Sequence, residues 1–203
     1  MTSQFCDEEF CVTRPRSTKA DEILDAAATL FAAKPFHEVR LDDISALAQV
    51  GKGTIYLYWS SKEDVYLAII RRGFAAVLER LERDLPACEG RCWDELKVVI
   101  HALLDFAFAF PGVYRIMRSG TLTPEDADLQ GIRRKVTERI QAVIEHGVAS
   151  GELIDHCPAL TAQYLLSSIR GAFLYPPPDM SRELLTDHLM HVFRCGIGRG
   201  SRA

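Results

Sequence analysis

Hydrophobic residues recur along most of the chain at intervals of three and four positions, the spacing of one face of an α-helix. The first such run contains Ile23, Leu24, Ala27, Leu30 and Phe31. Runs in which apolar and polar residues alternate, which indicate half-buried β-strands, are scarce. The pattern therefore predicts an all-α fold.

Capping residues and helix breakers divide this pattern into separate helices. Thr18 followed by Asp21 is the spacing of a capping box, and Pro35 ends the first helix because proline disfavours helical geometry in the residue before it. Ser61, with Asp64 three residues later, predicts the start of a long helix. The predicted helices span 18–34, 41–48, 51–59, 61–85, 93–110, 113–118, 123–151, 158–174 and 180–195.

The second and third predicted helices are short and are joined by a tight turn at 49–51. This arrangement is typical of a helix-turn-helix, whose second helix enters the major groove of DNA. Ile55 and Trp59 are four positions apart and are expected to pack inward against Leu47 and Ile44. The pair predicts an N-terminal three-helix DNA-binding domain.

The outer residues of the third helix carry the chemistry of a DNA contact. Lys52 can reach a base edge or a phosphate, Gly53 allows close approach of the backbone, and Thr54 can bond a phosphate or touch a thymine methyl group. The tyrosines that follow can donate hydroxyl hydrogen bonds to phosphates, and nearby cations can pair with phosphates. The candidate DNA-binding residues are Arg14, Arg16, Lys19, Arg40, Lys52, Gly53, Thr54, Tyr56, Tyr58 and Lys62.

Charge and composition narrow the class of protein. The 203 residues carry a net charge of −4 and are 48% hydrophobic and 26% charged, as expected of an ordinary globular chain. The segment from Arg14 to Lys62, however, contains seven Lys and Arg residues and six Asp and Glu residues, so its net charge is +1. A small basic face on an acidic body favours a local DNA contact over coating of nucleic acid.

Targeting signals and metal motifs are missing from the sequence. No apolar run is long enough to span a bilayer, and the N-terminus lacks the order of a signal peptide, so we expect a cytoplasmic protein. The six cysteines are scattered, which predicts reduced thiols. Cys88 and Cys92 form only half of a zinc ligand set, so no metal or cofactor is predicted; a redox switch remains open.

The strings "ILDAAATLFA" and "DDISALAQVGKGTIYLYWSSKED" resemble the TetR/AcrR family of bacterial transcriptional regulators. The resemblance implies a homodimer that binds a palindromic double-stranded DNA operator with two recognition helices. It also implies a helical C-terminal domain that binds a small-molecule effector and dimerises through its last two helices. The expected organisation is a tail at 1–15, a DNA-binding domain at 16–62 and an effector and dimerisation domain at 63–203.

One departure from the family pattern concerns backbone geometry. A glycine is usual where Gln49 stands. If that turn residue is left-handed, glutamine costs on the order of 1 kcal/mol relative to glycine.

The effector pocket is expected among the aromatic and sulfur-containing residues of the C-terminal domain, with a few polar groups for orientation. Such a pocket suits a hydrophobic or aromatic effector that shifts the population away from DNA binding. The candidates are Phe74, His101, Phe106, Phe110, Tyr114, Arg115, Met117 and Phe173.

Two other classes of protein fit the sequence less well. An enzyme would need a phosphate loop, a nucleophile elbow or a cluster of metal ligands, and the sequence offers none, so no catalytic residue is predicted. A helical small-molecule-binding or redox-sensing protein without sequence-specific DNA binding is the alternative, but it would not need the Lys52 to Lys62 constellation.

Overall fold

A computed structural model describes residues 18–118 and 127–198, and these residues form an all-α fold, as predicted. The only extended pairing within the described ranges is an isolated antiparallel bridge between Leu153 and Gly198. The α-helices are α1 (Lys19–Ala33), α2 (Leu41–Leu47), α3 (Lys52–Tyr56), α4 (Lys62–Asp84), α5 (Cys92–Ala109), α6 (Pro111–Arg118), α7 (Ala127–Ser150), α8 (Pro158–Leu174) and α9 (Arg182–Ile197).

The helix boundaries differ from the predictions at three places. The third helix ends at Tyr56 rather than near residue 59, because the chain leaves helical hydrogen bonding for a turn at 57–58. A short 3₁₀ helix at Phe36–Glu38, which was not predicted, connects α1 to α2. Pro111 occupies the first position of α6, where its missing N–H costs nothing, instead of breaking the chain. The predicted helix start at 123–124 lies outside the described residues.

The predicted caps of α1 and α4 form, as a complete capping box at Thr18 and as a single side-chain cap at Ser61. The Thr18 hydroxyl accepts from the Asp21 N–H at 3.2 Å, and the Thr18 N–H donates to the Asp21 carboxylate at 3.0 Å, so both halves of the capping box form. The Thr18 hydroxyl also donates to the Asp21 carboxylate at 2.7 Å, and this bond, followed by that from the Thr18 N–H, is the main reason that the pKa of Asp21 lies below its usual value. At α4, the Ser61 hydroxyl accepts from the Asp64 N–H at 3.0 Å. Local sequence thus sets where α1 and α4 begin.

An aromatic cluster holds the N-terminal helices against α4. The Phe31 ring stacks on Phe36 at 5.4 Å, and the Tyr66 ring meets both edge-on at 6.0 and 5.8 Å. All three side chains are buried. The 3₁₀ helix is therefore fixed by burial of Phe36, and it sets the angle at which the chain enters α2.

The C-terminal part of the chain is organised around α5, which packs against α4, α7, α8 and α9. Its residues Leu96, Ile100 and Leu104 are completely buried. A helix that is apolar over most of its circumference has to be surrounded, and the four neighbouring helices provide that cover. Within the described residues, no helix is both long enough and apolar enough to cross a membrane.

The turn between α2 and α3 contains a residue with left-handed backbone geometry, which was the condition for Gln49 to be less favourable than glycine. Gln49 has φ of 53° and is exposed. Its N–H donates to the Ala46 carbonyl at 3.2 Å and the Val50 N–H donates to the Ser45 carbonyl at 3.0 Å, the two hydrogen bonds of a Schellman motif. Gln49 occupies the position of that motif in which glycine is favoured.

Substitution of Gln49 by glycine should therefore stabilise the protein. The left-handed conformation costs a residue with a Cβ roughly 1–2 kcal/mol, which the extra unfolded-state entropy of glycine offsets in part. We expect the free energy of unfolding to rise by roughly 0.5–1 kcal/mol, measured by urea denaturation. As a matched control, Gln163→Gly within α8 should lower it by about 1 kcal/mol. A decrease for Gln49→Gly would contradict the role of this turn residue.

Candidate nucleic-acid interface and effector cavity

Helix α3 is anchored by one face and exposed on the other. Ile55 is completely buried in the same core as Ile44, and Trp59 packs partly buried against that core. Leu47, expected on the inside, is instead 49% exposed. Ile55 of α3 and Trp59, which follows the turn at 57–58, thus anchor this segment, whereas Lys52, Gly53 and Tyr56 of the helix are exposed.

The exposed face of α3 contains most of the residues that were predicted to contact DNA. Lys52, Gly53, Tyr56 and Tyr58 are exposed, and Thr54 is half-buried. A Cβ added at Gly53 would meet no protein atom within 4 Å. Packing within the chain therefore does not require a glycine here, and the missing side chain would allow an external molecule to approach the backbone closely.

The ammonium group of Lys52 lies beside a carboxylate of the preceding helix. Its Nζ is 2.7 Å from Asp42 Oδ1, and both side chains are more than half exposed. The hydrogen bond to Asp42 raises the pKa of Lys52, so this side chain stays charged. Exposed pairs of this kind contribute little stability, so the cation can leave Asp42 for a stronger anion.

Lys62 has an internal role that the sequence did not predict. Its Nζ donates to the carbonyls of Phe36 at 2.6 Å and Val39 at 2.9 Å, and it lies 4.3 Å from the centre of the Phe36 ring. The ammonium group thus ties the first turn of α4 to the 3₁₀ helix and to the residue that follows it. The phosphate contact expected of Lys62 stays a prediction.

The other predicted DNA contacts lie around α3 or outside the described residues. Lys19 starts α1 and pairs with Glu22 at 2.8 Å. Arg40 caps α2, where its N–H donates to the Asp43 carboxylate at 3.2 Å, and its side chain is exposed. Arg14 and Arg16 fall outside the described residues.

The sequence analysis missed one residue of this surface. Leu57 is 81% exposed, between the two exposed tyrosines. Leu57 gives this polar surface an apolar point. The sequence pattern could have identified Leu57 as exposed, because its position in the helical repeat does not fall on the inner face defined by Ile55 and Trp59.

The C-terminal domain encloses a cavity of about 270 Å³ between α4, α5, α6, α7 and α8. Three of the predicted pocket residues line it, namely Phe74, Phe106 and Tyr114. The full lining is Ile70, Phe74, Leu103, Phe106, Val113, Tyr114, Leu129, Gln130, Arg133, Leu166, Ile169 and Arg170.

The other predicted pocket residues lie elsewhere. The Phe110 ring packs on Phe106 at 5.5 Å and the Phe173 ring packs on Tyr114 at 4.9 Å, so both support the lining from behind. His101 is not part of the lining, and burial lowers its pKa, with a further contribution from the charge of Arg182. The side chains of Arg115 and Met117 are outside what the structure describes.

Two arginines that sequence reasoning did not select give the cavity its charge. Arg133 and Arg170 line it, and neither forms an ion pair with any residue in the described part of the chain. Burial raises the pKa of Tyr114 to about 12, and the charge of Arg170 acts in the opposite direction. The cavity therefore combines apolar walls with two cations whose charge is not neutralised by a carboxylate of the described residues.

The pair Cys88 and Cys92 gives little support to the redox alternative. Cys88 and Cys92 are buried, and burial raises the pKa of both thiols, that of Cys92 to about 12. Thiols of this kind react slowly because the thiolate is the reactive form. No group of three or more potential metal ligands occurs among residues 18–118 and 127–198.

Comparison with known proteins places these features in a family. The family model described as "Bacterial regulatory proteins, tetR family" matches residues 23–69, which span most of α1, all of α2 and α3, and the start of α4. The chain is 30% identical over 177 residues to an HTH-type transcriptional repressor of Streptomyces coelicolor, covering 84% of this chain and 85% of the repressor.

The chain is also similar to a second curated protein and to a solved structure. The chain is 24% identical over 147 residues to the fatty acid metabolism regulator protein of Bacillus subtilis, covering 69% of this chain and 73% of that protein. The fold is similar to that of AibR in complex with isovaleryl coenzyme A and operator DNA, with a TM-score of 0.66, 18% identity, and coverage of 87% of this chain and 98% of that one. The chain belongs to the TetR family of bacterial regulatory proteins, and it is a transcriptional regulator rather than an enzyme.

Proposed function

We propose that this regulator acts as a homodimer that binds a palindromic operator through α3 and is released by an amphipathic anionic effector. The observation that carries the DNA-binding part is the exposed face of α3. It presents Lys52, Thr54, Tyr56 and Tyr58 around a glycine that no neighbour in the protein requires. These groups match the donors that bind phosphates and base edges in the major groove.

The exposed apolar residues of the last two helices support the dimer. Leu160 and Tyr164 on α8, and Leu184 and Val192 on α9, are each 42–58% exposed. Such residues on neighbouring helices favour burial against a second copy of the chain. A two-fold dimer would set two α3 helices about 34 Å apart, the distance between successive major grooves on one side of DNA.

The charge and the apolar walls of the effector cavity support an amphipathic anion as the ligand. Apolar walls suit an aliphatic chain, and Arg133 and Arg170, which form no ion pair within the described ranges, suit a carboxylate or phosphate head group. A fatty acid or its coenzyme A thioester has both parts. The names of the two relatives that concern fatty acid metabolism and isovaleryl coenzyme A point to the same class.

The contacts of α6 offer a route from this cavity to α1. Val113 and Tyr114 line the cavity, and the Tyr66 hydroxyl on α4 donates to the Val113 carbonyl at 3.1 Å. The preceding residue, Gly112, lies so close to α1 that an added Cβ would be 2.6 Å from the Phe31 carbonyl oxygen. An effector that displaces α6 would therefore shift α1 and the angle of α3 relative to its partner copy, which lowers operator affinity.

Substitution of two lysines should separate DNA contact from internal support. Lys52→Ala should weaken binding to the upstream region of the protein's own gene and alter the preferred sequence. It should also flatten the slope of log K against log salt by about 0.9 for each phosphate that a subunit no longer neutralises. Lys62→Ala should flatten this slope less than Lys52→Ala does, because the Lys62 ammonium is also held by two carbonyls, and it should lower the free energy of unfolding by about 1–3 kcal/mol, since two charged hydrogen bonds are removed.

Fluorescence anisotropy over a salt series and urea denaturation measure the two effects, with Lys135→Ala on α7 as the control. If no DNA fragment is bound in a salt-sensitive way, the proposed function is wrong. A flatter slope for Lys62→Ala with unchanged stability would assign Lys62 to the phosphate contacts.

Leu57 should read a thymine methyl group. The exposed side chain follows α3 directly and lies next to the surface proposed to enter the major groove, where thymine is the base that offers a methyl group. Replacing thymine by uracil at the contacted position should weaken wild-type binding roughly fourfold, the value of one buried methyl group. Leu57→Ala should bind thymine and uracil operators equally. The idea fails if uracil scanning has the same effect on both proteins.

The effector cavity should distinguish charged from neutral ligands. Arg133→Gln and Arg170→Gln should each raise the concentration of a fatty acid or acyl-coenzyme A needed to release operator DNA by roughly tenfold, since a charge-assisted hydrogen bond is removed. Release by an alkanol of the same chain length should not change.

The control for this experiment is Arg134→Gln, because Arg134 neighbours Arg133 in sequence but does not line the cavity. Anisotropy over a series of effector chain lengths gives the effector concentration at which half of the operator DNA is released. If this concentration is the same for Arg133→Gln, Arg170→Gln and Arg134→Gln, the proposed head-group contacts are wrong.

A further inference from the structure

The charged and the apolar side chains of the effector cavity come from different helices. Gln130, Arg133 and Arg170 are on α7 and α8, which pack against each other. The lining side chains of α4 and α5 are all apolar, namely Ile70, Phe74, Leu103 and Phe106. An amphipathic anion would therefore place its head group beside α7 and α8 and point its chain toward α4 and α5.

A glycine of α4 makes room for one of the aromatic walls of the cavity. Gly73 is buried in the middle of a 23-residue helix, where glycine is less favourable than alanine. A Cβ added at Gly73 would overlap the Phe106 ring at Cε2 and Cδ2 and would lie 3.1 Å from its Cζ. The missing side chain thus provides the space in which the Phe106 ring lies against the backbone of α4.

Aromatic neighbours hold the Phe106 ring on its other sides. Its centre lies 5.2 Å from that of Phe74, 5.5 Å from that of Phe110 and 6.5 Å from that of Tyr114. Because protein interiors are close-packed, a ring that is pushed away from α4 moves toward unfilled space. The unfilled space that borders this ring is the effector cavity. A side chain at position 73 would therefore shorten the cavity at its apolar end.

We propose, on the basis of the amphipathic effector proposed above, that Gly73 and Phe106 limit the length of its chain, which makes the effector a medium-chain acyl compound. An apolar cavity of about 150 Å³ in another protein accepts one benzene molecule, which has six carbons. On that scale a volume of about 270 Å³ holds roughly ten carbons. A longer chain would meet the Phe106 ring, which cannot withdraw further because it already contacts α4.

Calorimetric titration of the full chain with saturated fatty acids, from hexanoic to hexadecanoic acid, measures the length limit without DNA. Wild-type affinity should rise roughly fourfold for each added methylene, the value of one buried methylene group, and should stop rising near decanoic acid. Gly73→Ala should end this rise at chains shorter by roughly two carbons, because the displaced ring fills the end of the cavity. Its affinity for hexanoic acid should not change, whereas a general loss of packing would weaken every fatty acid.

Three further variants separate a limit on length from damage to the fold. Phe106→Ala should extend the rise by roughly two to four carbons, since neighbouring side chains close only part of the space that the ring leaves. Gly73→Ala combined with Phe106→Leu should return the limit toward that of the wild type, because the smaller side chain leaves room for the methyl group. Gly131→Ala on α7 is the matched control and should bind each fatty acid as the wild type does. A Cβ there would meet no neighbouring side chain or helix within 4 Å among the described residues.

The possible results separate the length limit from the proposed class of effector. A wild-type affinity that keeps rising to hexadecanoic acid would overturn the limit alone, and so would an equal limit in the wild type, Gly73→Ala and Phe106→Ala. Equal weakening at every chain length in Gly73→Ala would assign Gly73 to packing only. If Gly73→Ala does not fold, an unmoved limit in Phe106→Ala overturns the proposal. A wild type that binds neither a fatty acid nor decanoyl-coenzyme A would instead overturn the proposed class of effector.

Discussion

Burial of three aromatic rings holds α1 and the 3₁₀ helix against α4. Phe31, Phe36 and Tyr66 come from α1, the 3₁₀ helix and α4, and they pack at centre-to-centre distances of 5.4–6.0 Å. The same 3₁₀ helix is also held by the Lys62 ammonium, which donates to the Phe36 carbonyl. The position of α2, and with it that of α3, therefore depends on apolar burial and on one partly buried charged contact together.

The same cluster extends toward the effector cavity through polar contacts. Tyr66 donates from α4 to the backbone of α6, and burial raises its pKa, so the phenol stays protonated and keeps this hydrogen bond across the physiological pH range. A buried phenol that is always a donor makes a stable link between helices. In the proposed mechanism, α6 is the element that contacts both the ligand and α1.

Features that depend on local sequence could be predicted, and features that depend on distant segments could not. The caps at Thr18 and Ser61 follow from residues three positions apart, and the structure has both. The internal bonds of Lys62 join residues 23 and 26 positions apart, and they need a 3₁₀ helix that no periodic pattern indicates. The effector cavity shows the same division. Its aromatic walls were expected because bulky apolar residues on helices gather in a core, whereas Arg133 and Arg170 resemble any exposed helical arginine until α7 and α8 pack side by side.

The glycine of α6 limits how this protein can change over time. Most cavity positions carry side chains of moderate size whose replacement would alter the shape of the space, so new ligands can be accommodated by substitutions there. At Gly112 even one methyl group would collide with the backbone of α1. Substitutions in the cavity can thus change which ligand is bound, whereas the contact between α6 and α1 that would transmit ligand binding accepts only glycine. Ligand choice and control of DNA binding can therefore evolve separately.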